Sequence, residues 1–294
     1  MGYAAGAALV AVAALLWSMM GLAIRNIEVA GTWAILFWRS AAMVPVLLTF
    51  VALRGRRPLG AALRDTGRAG LIGGAGLVLA FAGAIFAIQS TTVANAVFLF
   101  SAAPFLAAGL GWALLGERVR ATTWAAMCVA LFGLLVMVRE GLALGALAGN
   151  LAALGSALGF AIFTLALRWG RLGNMMPAVA IGGALSMAVA LIMLAVTGQP
   201  LWVPLPDILV SMLMGAGLLA VGMALYTIGS QVVPAADLTL ISMIEVMLAP
   251  VWVWLFLGEE ASSATLWGGV IILCAVTLNA LGGMRRKPAL PPIA

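Results

Sequence analysis

The chain has 294 residues, of which 65% are hydrophobic and 8% charged, with a formal net charge of +6; an ordinary soluble domain carries about 25% charged residues. A water-soluble globule is therefore excluded, because only lipid covers Ala, Leu and Val runs of this length. The fold class implied is all-α, a polytopic membrane protein, since membrane strands would alternate apolar and polar residues over short segments.

At about 20 residues per crossing, apolar runs punctuated by Gly, Pro, Asn and charge predict ten transmembrane helices. They fall at 5–24, 32–53, 69–89, 94–115, 121–138, 147–167, 176–197, 208–229, 236–257 and 263–282. These spans leave no room for a separate soluble domain. The first has neither a charged lead segment nor a small-residue cleavage site and is expected to be a mature span, not a signal; it contains Leu16, Trp17, Ser18 and Gly21. Arg39 lies in the second, roughly 11 Å below its outer end at 1.5 Å per residue. The third carries Phe81 and Gly83. The fourth carries Asn95, Phe98, Ser101 and Pro104 and closes on Leu115, Gly116 and Glu117. Cys128 in the fifth and Cys274 in the tenth read as small buried hydrophobes, since their spacing fits neither a metal site nor a disulfide. Gly159, Phe160 and Phe163 fall in the sixth span and Gly222 and Tyr226 in the eighth. The ninth holds Asp237, Ser242, Glu245 and Pro250 and closes on Leu257, Gly258 and Glu259.

Orientation follows from the basic residues, which stay in cytoplasmic loops. With the N-terminus inside, one face collects Arg54, Arg56, Arg57, Arg64, Arg68, Arg118, Arg120, Arg168, Arg171, Arg285, Arg286 and Lys287, whereas the other receives Arg25 and Arg139. Both termini are thus expected in the cytoplasm, and the positive charge is read as topology, with no nucleic-acid partner.

The two halves align best at a shift of about 142 residues. Ala94, Asn95, Leu106, Ala107, Trp112, Leu115, Gly116 and Glu117 fall opposite Ala236, Asp237, Leu248, Ala249, Trp254, Leu257, Gly258 and Glu259. Five spans per half is an odd number, so the second half enters the membrane in the opposite sense. The expected units are residues 1–142 and 143–284, followed by a basic tail at 285–294. Inverted repeats of this kind are a transporter signature, with the substrate site near the midplane between the halves.

Arg39 and Glu245, the latter roughly 18 Å below the outer end of its span, are the ionisable residues deepest in the spans. Such groups are candidates for a substrate carboxylate, a substrate amine or a proton, or for a buried structural pair. Pro104 and Pro250 each remove a backbone hydrogen bond and are hinge candidates. Trp17, Phe81, Phe98, Phe160, Phe163 and Tyr226 are candidate cavity aromatics, with Ser18, Asn95 and Ser242 as polar candidates beside them. Trp33, Trp124, Trp202 and Trp267 read as interfacial anchors. Gly21, Gly83, Gly159 and Gly222 read as close-packing positions.

Ten spans, a five-plus-five inverted repeat and two spans ending in Leu-Gly-Glu resemble the EamA family of the drug/metabolite transporter superfamily. Leu16-Trp17-Ser18, Arg39 and the stretch from Pro104 to Glu117 add to the likeness. One departure is visible: the family often has Glu-Pro in the ninth span, whereas Glu245 is followed here by Val246, with the next proline at Pro250. The bend in that span is therefore expected about one turn from the family position. Within the family the chain is most similar to the YddG-like exporters of aromatic and other amino acids. That likeness implies an inner-membrane exporter with a central cavity lined by the first, third, fourth, sixth, eighth and ninth spans, and fifth and tenth spans serving as support.

The expected function is a secondary transporter exporting neutral amino acids and related metabolites; the alternative is a proton-coupled exporter of drugs or other small metabolites. No Gly-rich loop ending in Gly-Lys-Ser/Thr is present, so ATP hydrolysis is excluded. An intramembrane enzyme is not expected either, as histidine is absent and no acid pair or nucleophile with a base occurs. No cofactor, metal or obligate protein partner is implied; the partners are a small-molecule substrate and the lipid bilayer.

Overall fold

The computed structural model describes residues 1–54, 58–90, 96, 99–138, 147–170, 175–257 and 263–284. Asn95, Phe98, Glu259 and the tail at 285–294 lie outside the described residues. The described helices are α1 (Tyr3–Ser18), α2 (Met20–Arg25), α3 (Thr32–Arg54), α4 (Leu59–Asp65), α5 (Gly67–Ser90), α6 (Ala103–Leu115), α7 (Ala121–Val138), α8 (Leu147–Trp169), α9 (Met176–Thr197), α10 (Leu205–Leu213), α11 (Ala220–Gly229), α12 (Ala235–Ser242), α13 (Ile244–Leu257) and α14 (Ser263–Met284). A π-helical stretch, Met214–Leu219, joins α10 to α11.

The chain is an all-α polytopic membrane protein. Among the described residues, eight helical stretches are long and apolar enough to cross a bilayer, and α6 and α7 contribute two shorter apolar helices. Local chemistry explains the punctuation. Pro104, Pro177 and Pro206 occupy the first positions of α6, α9 and α10, where the missing N–H leaves no intrahelical bond unmade. Gly116 and Gly198 end α6 and α9 in the left-handed conformation, at φ +64° and +67°, which residues with a Cβ rarely adopt.

Because lipid is as apolar as leucine, helices in a membrane associate by close packing and internal hydrogen bonds. The seam between α5 and α8 shows this. A Cβ on Gly76 would come 2.7 Å from the Gly159 carbonyl oxygen, and one on Gly83 would come 2.7 Å from that of Ala152. The Ser156 hydroxyl crosses the same seam to donate to the Ala80 carbonyl at 2.7 Å. Helix α1 lies on α11 in a similar way, since a Cβ on Gly229 would come 2.8 Å from the Gly6 carbonyl oxygen. Around these seams α9 packs on α3 and α5, α7 on α14, α6 on α8 and α12, and α1 on α12 and α13. Helix α3 also lies along α10 and the π-helical stretch. Of the glycines expected to permit close packing, Gly83, Gly159 and Gly222 do so, whereas Gly21 faces open space.

Tyr226, Phe163, Leu36, Met43, Leu77, Leu134 and Leu238 are fully buried, while Trp112, Leu53, Trp254 and Leu278 are exposed on the outside, as expected of surfaces that meet acyl chains. Cys128 and Cys274 belong to the second group. Both thiols are exposed, which corrects their reading as buried hydrophobes: α7 and α14 bury the opposite faces, carrying Ala130, Leu134, Ile272 and Ala275, and turn the cysteines outward.

Two stability outcomes follow. Gly159→Val should destabilise the protein by at least about 1–3 kcal/mol, because its side chain meets backbone that cannot move aside, read as a fall in melting temperature in detergent. Cys128→Ala and Cys274→Ala should leave that temperature unchanged.

Candidate functional site

Four of the aromatic candidates meet at the centre of the bundle. Trp17 of α1 lies 5.9 Å from Phe160 and 5.4 Å from Tyr226 between ring centroids. Phe160 is 5.2 Å and Phe163 6.3 Å from Tyr226. The Tyr226 and Thr164 hydroxyls share a 2.7 Å hydrogen bond, and Thr164 also donates to the Phe160 carbonyl at 2.8 Å. The cluster thus joins α1, α8 and α11, and the Trp17 indole fits because Gly222 has no side chain to oppose its N–H edge.

Arg39 of α3 is 3% exposed. Its guanidinium sits 4.6 Å from the centroid of the Phe81 ring, a cation–π contact that partly offsets the removal of charge from water. Its Nε and Nη2 atoms, together with the Trp17 Nε1, find no hydrogen-bond partner among the described residues. Arg39 and Glu245 form no ion pair with each other in the structure. Glu245 is only partly buried and lies in the first turn of α13, where the positive end of the helix dipole favours a carboxylate.

Among the described residues, three of the apolar runs are broken. The first is interrupted at Met19, the fourth at Ser101–Ala102, and the ninth at Met243, where 3₁₀-type bonds run from the Met243 N–H to the Leu240 carbonyl and from the Val246 N–H to the Met243 carbonyl. The break in the ninth run has not followed the proline to Pro250, contrary to expectation; Pro250 lies inside α13, and Pro104 lies just after its break, in the opening of α6. Ser18 sits beside the first interruption. Its hydroxyl donates to the Leu15 carbonyl at 2.6 Å and accepts the Trp252 indole N–H at 2.7 Å, tying α1 to α13. The Ser242 hydroxyl is turned onto the Thr239 carbonyl at 2.7 Å.

The end of the bundle that carries Arg118, Arg120 and Arg168 holds a network that the sequence did not reveal. Gly116 turns the chain in the left-handed conformation so that the Glu117 N–H returns to the Gly111 carbonyl at 3.0 Å and closes the end of α6. That reversal swings the Glu117 carboxylate beneath α6. There it accepts Arg168 Nε at 2.9 Å and Nη2 at 2.8 Å, and the Ala235 N–H at 3.3 Å. Arg168 also donates to the Ser230 carbonyl at 2.9 Å. Beside it, Asp237 is 1% exposed. It accepts from the Tyr3 hydroxyl at 3.1 Å, the Thr123 hydroxyl at 3.1 Å and the Asn279 amide at 2.9 Å, with Arg120 at 3.5 Å. A small pocket between α6 and α12 is lined by Gly111, Glu117, Arg118, Arg120, Pro234 and Asp237. The opposite end is tied differently: Asp207 accepts the backbone N–H groups of Glu28, Val29 and Ala30 at 2.8–3.3 Å.

The sequence signal for the Glu117 arrangement was Leu-Gly-Glu itself, a C-terminal glycine followed by an acid. For Asp237 the signal was an acid at the start of an apolar run. Neither discloses its partners, which come from α1, α7, α8, α12 and α14.

Long apolar helices joined by glycine seams, interrupted in the bundle and holding a buried cation, define a membrane-transport fold. The sequence profile of the EamA-like transporter family matches the chain twice, over residues 4–139 and 147–281; the chain belongs to this family and is a transporter, not an enzyme. A crystal structure of a protein with 18% sequence identity superposes with a TM-score of 0.78, covering 94% of this chain and 98% of the other, a likeness of fold. No curated protein matches the chain.

The ion pair between Glu117 and Arg168 is partly shielded from water, so Glu117→Ala should cost on the order of 1–3 kcal/mol, more than the 0–1 kcal/mol of an exposed pair. The charge reversal Glu117→Arg with Arg168→Glu should recover part of the loss, as measured in a double-mutant cycle of thermal stability in detergent.

Proposed function

We propose that the protein is a secondary transporter that moves small metabolites by alternating access, through ten spans arranged as two inverted five-helix repeats. The repeats are assigned to residues 1–142 and 143–284, with 285–294 a cytoplasmic basic tail, both termini inside, and the bacterial inner membrane as location. Family membership reaches as far as small-molecule transport, so a range covering drugs and other small metabolites is the better-supported substrate class. Export of aromatic and other amino acids, as in YddG-like proteins, is the narrower case within it.

The observation that carries this reading is the equivalence of the two halves. The breaks at Ser101 and Met243 lie at the same shift of 142 residues that aligns the sequences, although the proline that follows the first is replaced by Val246 in the second. The packing pairs also interchange. Exchanging each span with its counterpart converts the α5–α8 seam into the seam of α1 with α11, and α5 on α9 into α3 on α10 and the π-helical stretch. It likewise converts α6 on α8 into α12 and α13 on α1, while α3–α9, α7–α14 and α6–α12 map onto themselves. Two halves related in this way possess two arrangements of similar energy, one open to each side, which is what alternating access requires.

Candidate substrate contacts are Trp17, Ser18, Arg39, Phe81, Phe160, Phe163, Tyr226, Ser242 and Glu245, with Asn95 and Phe98 alongside. Pro104, just after its break, and Pro250, inside α13, remain candidate hinge residues.

Two measurements test the reading. In proteoliposomes, labelled amino acids and unrelated small amphiphiles should exchange across the membrane, and Glu245→Gln should weaken exchange or remove its response to a pH gradient; a chain that exchanges no small molecule would overturn the assignment. Single cysteines at positions 117 and 259 should react with impermeant reagents from opposite sides. Reaction from the same side would rule out the inversion.

A further inference from the structure

Resting on the transport reading, we infer that the central site selects organic anions: a carboxylate held by Arg39, and an apolar or aromatic body held against Trp17, Phe160 and Tyr226. The inference comes from a mismatch of donors and acceptors. Buried polar groups are normally hydrogen-bonded, and a guanidinium has five N–H donors and no acceptor. Arg39 is buried, yet Nε and Nη2 have no partner among the described residues, and neither does the Trp17 indole N–H. Phe81 covers one face of the guanidinium and leaves its in-plane donors, the edge that a carboxylate engages with two parallel hydrogen bonds. The hydroxyl oxygens of Ser40, Ser211 and Thr227 are likewise buried and unpartnered among the described residues, and all three belong to α3, α10 and α11. The unsatisfied groups on these elements and on α1 are N–H donors, or hydroxyls that can donate. An acceptor-rich ligand answers the Arg39 edge, whereas the Trp17 N–H edge is closed by Gly222.

Arg39 and Trp17 pack against one continuous run. The Arg39 carbonyl packs directly on Gly215 at the start of the π-helical stretch, and the Trp17 indole packs on Gly222 of α11. These two glycines are one heptad apart on the same continuous run, about 10 Å along its axis. The π-helical stretch Met214–Leu219, a feature often found at functional sites, carries the Arg39 contact at Gly215.

The experiment compares acids with their own neutral amides in binding to purified protein in zwitterionic lipid nanodiscs. The probes are phenylacetate and phenylacetamide, phenylalanine and phenylalaninamide, and hexanoate and hexanamide. At least one acid should bind 10-fold or more tightly than its amide. Arg39→Gln should abolish that preference while leaving the amide affinity within about 2-fold, Arg39→Lys should restore part of it, and Trp17→Leu, which removes the ring, should weaken binding of the aromatic acids a few-fold. Equal binding of acid and amide in every pair, or an Arg39→Gln protein that keeps the preference, would overturn the inference. Loss of the preference only when anionic lipid is added would assign Arg39 to a lipid headgroup and overturn it as well. If Arg39→Gln fails to insert, the acid–amide comparison in the parent protein and the Trp17→Leu variant still decide. Transport of neutral solutes with no acid preference would leave the transporter reading standing while this inference falls.

Discussion

The bilayer interior offers no water, so every polar group placed there must find its partner within the protein. Much of this structure is an answer to that requirement. Hydroxyls of Ser18, Thr164, Ser186 and Ser242 fold back onto carbonyls three or four residues earlier, and Ser156 crosses to the neighbouring helix. Glycines bring backbones close enough for dispersion to hold helices together where the hydrophobic effect contributes little. Against this well-satisfied background the exceptions gain meaning. A buried guanidinium whose Nε and Nη2 have no partner among the described residues and an indole N–H facing a glycine are costly in lipid, and both lie on elements packed against the run from α10 to α11.

Electrostatics is handled differently at the two ends. At the arginine-rich end, Glu117 and Arg168 bond charge to charge and reach the Ala235 N–H and the Ser230 carbonyl, while Asp237 gathers donors from α1, α7 and α14. At the other end, Asp207 binds three backbone N–H groups of one loop. The first arrangement joins elements from both segments that match the family profile, and its chief bond is a salt bridge that water can replace. A contact of that kind is suited to reversible closure. It depends on Gly116, because only a left-handed residue there aims Glu117 back under α6.

How much of this was legible in the sequence follows from the range of the interactions involved. The helical membrane class and the placement of most long runs were readable because bilayer thickness imposes a local pattern. The aromatic cluster was readable in part: Trp17, Phe160, Phe163 and Tyr226 were named as candidate cavity aromatics and meet in space, whereas Phe81 joins Arg39 instead. The Asp237 network was not readable, since its donors lie up to 234 residues away and an isolated Thr123 or Asn279 carries no signal. Cys128 and Cys274 were misread because uniformly apolar helices give no moment to tell a lipid face from a packed one. The break at Met243 persists without a proline at 246, so the packing of the ninth run, not ring chemistry alone, sets where it bends.

The most direct measurement is the distance between spin labels at Arg118 and Gln231, on the two sides of the closure at the arginine-rich end, in lipid nanodiscs. The account predicts two populated distances, the shorter matching this structure, with the longer gaining population when Glu117 is replaced by Gln. A single narrow distance that neither substrate nor the Glu117→Gln substitution alters would contradict it.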